Sequence, residues 1–208
     1  MPVLDAFVDK HPDVRPYLFL SDGVVNVVED GFDVGVRYGV LKDNRLVARK
    51  LAKNHRVLCA SPDYIKRKGT PQTPKELSDH NCLVMVRGNE PLAIWHFQTD
   101  SGPQSLTIHP ARSTNNGAQI RRWALAGAGI ALKSFWDVRT DIEAGRLVTV
   151  LDKFVSDFTL QGMTGNADLH AIYTDRRFLP ERTRGFMDAL INHFNTLDPS
   201  STATRSKP

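Results

Sequence analysis

Trp123-Ala124-Leu125-Ala126-Gly127-Ala128-Gly129-Ile130-Ala131-Leu132 is the stretch on which the fold turns. Upstream and within it, Ile120, Trp123, Ala124 and Gly127 recur at helical spacing, which predicts a helix over 117–126 with one face buried. Downstream, 128–132 is a continuous apolar run that reads as a strand leaving that helix. The two glycines therefore close a helix and open a strand. A dinucleotide-binding loop has the reverse order, following a strand and opening a helix, so Gly127 and Gly129 are helix-closing residues and no nucleotide fingerprint.

Towards the N-terminus, Leu4, Phe7, Val8 and His11 form an amphipathic helical stripe that must stop before Pro12. The run Val14-Arg15-Pro16-Tyr17-Leu18-Phe19-Leu20 is apolar on both parities, as a strand covered on both faces would be. Ser21-Asp22-Gly23 is a capping cluster, and 24–29 continues as a short helix ending near Gly31. A second strand is expected at 33–37. This strand–helix–strand rhythm with short turns is that of an α/β chain with a parallel sheet.

Past Gly39, 46–51 and 56–60 read as strands, and Pro62 opens a short helix ending at Gly69. Thr73-Pro74-Lys75-Glu76 has the pattern of a capping box with proline at the first helical position. Residues 82–86 form a strand. Residues 94–98 and 105–109 are hairpin-like around Asp100-Ser101-Gly102-Pro103. Ser113-Thr114-Asn115-Asn116-Gly117 caps the 117–126 helix, and 145–150 is a turn and strand. A strand at 169–174 and a helix at 180–194, striped by Phe186, Met187, Leu190, Ile191 and Phe194, complete the order. Residues 198–208 lack apolar anchors and are expected to be disordered. No repeat of solenoid length is visible.

Composition excludes several function classes. With 41% hydrophobic and 24% charged residues in 208, and Gly 14 and Pro 12, the chain is neither collagenous nor low-complexity. The uncharged run 123–132 is half the roughly 20 residues that a bilayer span needs, so no membrane association is expected. No secretory pattern opens the chain, and two cysteines, Cys59 and Cys82, build no disulfide framework; a cytoplasmic location is expected. The net charge of +4 is spread over short pieces such as Arg49-Lys50, Lys66-Arg67-Lys68 and Arg121-Arg122, which is a solvated surface and no nucleic-acid stripe. The 7 histidines show no metal-ligand spacing, and no nucleophile elbow, P-loop or Cys–His context is present. No metal, cofactor or catalysis is expected.

Two polar clusters, Ser21-Asp22 and Ser113-Thr114-Asn115, stand at strand-to-helix turns, one in each half of the chain. In open α/β sheets ligands bind beyond the carboxyl ends of strands, where helix N-termini offer free N–H groups. Two such turns would suit a cleft between two lobes.

Leu20-Ser21-Asp22, Val28-Glu29-Asp30-Gly31-Phe32-Asp33-Val34-Gly35-Val36-Arg37-Tyr38-Gly39 and Leu46-Val47-Ala48-Arg49-Lys50-Leu51 resemble the effector-binding domain of LysR-type transcriptional regulators. Leu58-Cys59-Ala60-Ser61-Pro62-Asp63-Tyr64-Ile65, Thr73-Pro74-Lys75-Glu76-Leu77, His80-Asn81-Cys82-Leu83, the helix-to-strand run 123–132, Gly145-Arg146-Leu147-Val148 and Ala171-Ile172-Tyr173 resemble it too. The match runs from about residue 2 to 195. It implies two Rossmann-like lobes joined by two crossover strands, as in type II periplasmic binding proteins. Lobe I would be 1–83 plus 174–197 and lobe II 84–173, with crossovers at 82–86 and 170–174. It also implies a homodimer and a small-molecule effector between the lobes, often a carboxylate or aromatic acid. The effector-binding residues would be Ser21, Asp22, Arg37, Tyr38, Gly39, Ser113, Asn115, Asn116, Gly117 and Lys133. Lys133 stands where the family often has proline; its ammonium at the cleft mouth, with Arg37, would suit an anion.

The sequence departs from the family pattern in two ways. The family's N-terminal winged helix-turn-helix is not in this chain, so operator recognition by this chain alone is not expected. The family's first core strand, which lies between the strands read at 14–20 and 33–37, would precede Met1. A bare slot there would strand buried backbone groups, so the gap is expected to be closed by the two strands approaching, by an inserted segment, or by a longer gene product. A free-standing cytoplasmic binding protein of the same fold is the alternative function. An enzyme using the cleft is a third, without paired acid and base residues to support it.

Overall fold

In the computed structural model the chain divides into two compact units, Met1–Lys53 with Ala167–Pro208, and Asn54–Asn166. The described residues are 2–23, 25–39, 45–155, 159–160, 163–164, 168–174 and 179–197. The expectation for 198–208 falls outside them. In chain order the elements are α1 (Pro2–Lys10), β1 (Gly35–Tyr38), β2 (Leu46–Ala52), β3 (Arg56–Ala60), α2 (Pro62–Lys68), a 3₁₀ turn (Pro74–Asp79), β4 (Cys82–Arg87) and β5 (Glu90–Pro91). There follow β6 (Ile94–Thr99), β7 (Gly102–Thr107), β8 (Pro110–Thr114), α3 (Gly117–Leu125), β9 (Ile130–Ser134), α4 (Phe135–Glu143) and β10 (Val148–Val150). Last come β11 (Thr159–Leu160), β12 (Met163–Thr164), β13 (Leu169–Thr174) and α5 (Glu181–Leu197).

The second unit is built around β3, whose residues are apolar on both parities. Leu58 and Ala60 pack on one face with Tyr64, Leu77, Val84, Trp95 and Phe97. Val57 and Cys59 pack on the other with Leu83, Ile120, Ala124, Ala131 and Val138. A strand buried on both faces reads as a continuous apolar run, and β3 does. The sheet order is β10-β3-β9-β4, with β8 also on β4. β3 is antiparallel to β9 and β10, while β4 is parallel to β8 and β9. The expected hairpin is present as β6–β7.

The stretch 123–132 folds as read. α3 ends at Leu125, and Gly127 takes a left-handed φ of 71° to turn the chain. Gly129 lies so close to the preceding loop that a Cβ there would stand 2.3 Å from the Asn81 carbonyl oxygen. The same oxygen accepts from the Ile130 N–H at 2.8 Å, which seats β9 beside β4. Buried Asp141 of α4 anchors the far end of this layer: it accepts from Arg121 Nε at 2.6 Å and from Arg146 Nε at 2.8 Å.

In the first unit β1, β13 and β2 form a three-stranded antiparallel sheet, with β13 central. α1 lies on α5 through an edge-on Phe7–Phe186 pair at 5.3 Å. The parallel pairing expected around 33–37 is therefore corrected: β1 is an antiparallel partner of β13.

Four further expectations change. First, 14–20 forms no strand, and Tyr17, Leu18, Phe19 and Leu20 are exposed. Burial on both faces needs hydrogen-bonded neighbours, and Pro16 lacks an N–H to give one; the segment does not close against β1. Second, 25–31 is a turn and no helix. Asn26 Oδ1 accepts from the Val28 and Glu29 N–H groups, a local bond that competes with helix. Third, Thr73 caps no backbone N–H. Its hydroxyl donates to Glu76, whose carboxylate also accepts from the Gln72 N–H, around a 3₁₀ turn. Fourth, the boundary expected at 83/84 lies at 53/54, because β3 is hydrogen-bonded between β9 and β10 of the second unit. The chain returns at 166/167, and β4, read as a crossover, is inside the second sheet.

Candidate functional site

In the second unit β8 delivers Ser113 beside Val84 and Thr114 beside Met85 of β4. The chain then turns through Asn115 into α3. Asn116 is the N-cap: its Oδ1 accepts from the Gln119 N–H at 2.9 Å, and its own N–H donates to Thr114 Oγ1 at 3.2 Å. The capping residues therefore use one helix-end donor and one turn donor locally, as the residue types dictate.

Lys133, opposite Val57 on the α3 and α4 face of the sheet, is buried at 7% exposure. Its ammonium donates to the Gly117 carbonyl at 2.8 Å and pairs with Asp137, four residues on. A buried ammonium needs such partners. Ser113, Asn115, Asn116, Gly117 and Lys133 thus belong to one turn, with Lys133 fixing the start of α3 from within.

In the first unit Arg37 and Tyr38 are exposed on β1, opposite His170 and Leu169 of β13. Arg37 makes no ion pair or side-chain hydrogen bond among the described residues. Gly39 has a φ of 90° and donates its N–H to the Asp168 carbonyl at 3.0 Å. Ser21 and Asp22 are exposed, and Ser21 Oγ accepts from the Gly23 N–H at 3.1 Å. The Asn26 turn stands in place of the helix expected after them, so among the described residues no helix N-terminus lies behind them.

A cavity of about 390 Å³ opens elsewhere in the second unit, lined by His55, Arg56, Val57, Phe135, Ile142, Thr149, Asp152 and Val155. His55 and Phe135 stack in it at 4.7 Å. None of the ten candidate residues lines it. Among the described residues there is no group of three or more His, Cys, Asp or Glu able to hold a metal. Burial pushes the Cys59 and Cys82 thiols up to about 12, so neither is a ready nucleophile. No helix among the described residues is long and apolar enough to cross a membrane.

The family profile described as the LysR substrate binding domain matches residues 1–195. The chain belongs to the LysR substrate-binding-domain family. Among its relatives are the HTH-type transcriptional regulator DmlR of Escherichia coli K12, 33% identical over 193 residues and 93% of this chain, and the HTH-type transcriptional regulator CrgA of Neisseria meningitidis serogroup C, 32% identical over 190 residues and 91% of this chain. Each match covers 60% of the relative, so this chain spans about three-fifths of their length.

The CrgA regulatory domain from Neisseria meningitidis superposes with a TM-score of 0.79 at 31% identity, covering 93% of this chain and 90% of that one. Full-length AphB, the Vibrio cholerae virulence activator, gives 0.74 at 26%, covering 93% and 63%. The architecture is thus the α/β, type II periplasmic-binding-protein-like fold of LysR regulatory domains, and the named relatives are regulators of transcription rather than enzymes.

Sequence reasoning missed two partners in this LysR domain. Asp137 neutralises Lys133; the signal was present, as an acid four residues after the lysine across a strand–helix junction. Asp168, buried and ion-paired with Lys50, left no signal, because a lone carboxylate outside any motif reads as surface.

Proposed function

We propose that this domain is the effector-sensing and dimerising part of a LysR-type transcriptional regulator, working in the cytoplasm beside DNA, with a small carboxylate as its effector. The observation that carries the anionic reading is Arg37, an exposed guanidinium at the end of β1 with no acidic partner among the described residues. Such a group pairs a carboxylate bidentately. The remaining contacts are assigned to Ser21, Asp22, Tyr38 and Gly39 in the first unit and to Ser113, Asn115, Asn116 and Gly117 in the second. Asp137 already matches the charge of Lys133. Lys133 therefore serves the effector by holding Gly117 and the start of α3, more than by lending net charge.

A thermal-shift series with acetate, benzoate, succinate and citrate tests this. A ligand that binds only the folded state raises Tm in proportion to RT ln(1 + [L]/Kd). At least one acid should stabilise the domain, and Arg37→Ala should abolish that shift. No shift with any acid, or an equal shift in the variant, ends the anionic reading. Sedimentation equilibrium at micromolar protein should return twice the monomer mass. The coding DNA upstream of Met1 separates a regulator, with an in-frame winged helix-turn-helix, from a free-standing binding protein.

A further inference from the structure

We propose that Tyr64, His80 and Asn81 form a pH-responsive latch in the second unit: protonation of His80 frees the Asn81 segment on which β9 is seated. The proposal stands apart from the effector reading, because it needs no ligand.

Tyr64 is set on α2, 1% exposed, with its N–H donating to Ser61 Oγ at 3.2 Å. Its hydroxyl reaches the loop between the 3₁₀ turn and β4. There it accepts from the Asn81 N–H at 2.9 Å and lies 3.2 Å from His80 Nδ1. An amide N–H can only donate, so the single hydroxyl hydrogen is left for Nδ1, which must carry a lone pair. The contact therefore selects neutral His80 with its proton on Nε2. What the phenol holds matters beyond the loop. The Asn81 carbonyl accepts from the Ile130 N–H at 2.8 Å, and Arg67, also on α2, donates to the Gly127 carbonyl at 2.9 Å. One short helix thus grips both sides of the junction between α3 and β9.

Charging His80 puts a second N–H against the phenol oxygen and takes away the acceptor of the hydroxyl hydrogen. The imidazolium bond is charge-assisted and the stronger of the two. The hydroxyl hydrogen then turns towards Asn81, and the Asn81 N–H is displaced. Burial of the His80 ring opposes its charge most; Asp79 and Glu76 of the 3₁₀ turn favour the charge, and Lys68 of α2 opposes it. On β4, burial pushes the Cys82 thiol up to about 12, so it stays neutral. The balance holds His80 below the ordinary histidine value. The closed latch is therefore fully favoured above about pH 6.5 and weakens as pH falls below it.

The test is amide hydrogen exchange on the full chain at pH 7.5 and pH 5, each rate corrected for the intrinsic effect of pH. Protection of the Asn81 and Ile130 amides should fall by about threefold or more at pH 5, while the β3 amides hold theirs. In His80→Asn, whose amide oxygen replaces Nδ1 without titrating, the two amides should keep equal protection at both pH values. An undiminished Asn81 protection at pH 5, a loss shared equally by β3, or the same loss in His80→Asn would overturn the proposal. A second readout needs no variant: the ring-nitrogen chemical shifts of His80 at pH 7.5 should be those of the Nε2–H tautomer, and those of the Nδ1–H tautomer would also overturn it.

Discussion

The Lys133 ammonium donates to the Gly117 carbonyl at 2.8 Å, tying β9 to the first turn of α3. Lys133→Met removes that charged donor from the Gly117 carbonyl, while Asp137, 36% exposed, can turn to water. The expected loss is about 1–3 kcal/mol, read as a lower urea midpoint with an unchanged slope. An unaltered midpoint would show that the bond adds nothing to the fold.

Gly129→Ala places a methyl group 2.3 Å from the Asn81 carbonyl oxygen, a backbone atom in a hydrogen bond with Ile130. Overpacking of this kind costs about 1–3 kcal/mol, and a backbone neighbour puts the substitution at the upper end. Gly127→Ala, at positive φ, should cost less, about 1–2 kcal/mol. Reversal of that order in thermal melts would contradict the close approach at Gly129.

Burial pushes the Asp141 carboxyl up, but the hydrogen bonds from Arg121 and Arg146 outweigh it and hold the group below the ordinary carboxylate range. A depressed folded-state pKa contributes stability above the unfolded value near 4, which is lost as pH falls through the folded value. The wild type should therefore lose stability below about pH 4 more steeply than Asp141→Asn. At pH 7 the variant should be weaker by about 2–3 kcal/mol, under the range for fully buried pairs because both arginines can rehydrate. Parallel stability–pH curves would argue against the pairing.

Cys59 and Cys82 should be silent to a thiol-reactive disulfide at pH 8 in the native protein, since both titrate at about 12 and neither is exposed. Two equivalents should react once urea unfolds the chain. Rapid reaction of either thiol without unfolding would place it at the surface.

The α/β character was legible wherever the local pattern and the burial agreed. At 123–132 the helical stripe, two glycines and an apolar run all point the same way, and at 56–60 apolar side chains on both parities mark a strand between two cores. The run 14–20 carries the same apolar pattern but lies outside the sheet. A pattern states what a strand is fit to bury and is silent on whether a neighbour offers the hydrogen bonds. Strand direction was lost for the same reason, since the rhythm of elements cannot tell that β1 pairs with β13, more than a hundred residues away. Among the candidate residues, the Asn116 cap was local and readable. The acid beside Lys133 was near in sequence too, whereas its Gly117 partner and the Lys50 partner of Asp168 were set by tertiary neighbours.

The double-faced β3 leaves this chain little freedom to change length there. Adding or deleting one residue within 56–60 would send Leu58 to the layer that Cys59 occupies and carry its neighbours across with it, exchanging two differently shaped interiors at a stroke. Insertions and deletions in descendants of this gene should accordingly gather at turns such as Gly88-Asn89 and spare that ribbon.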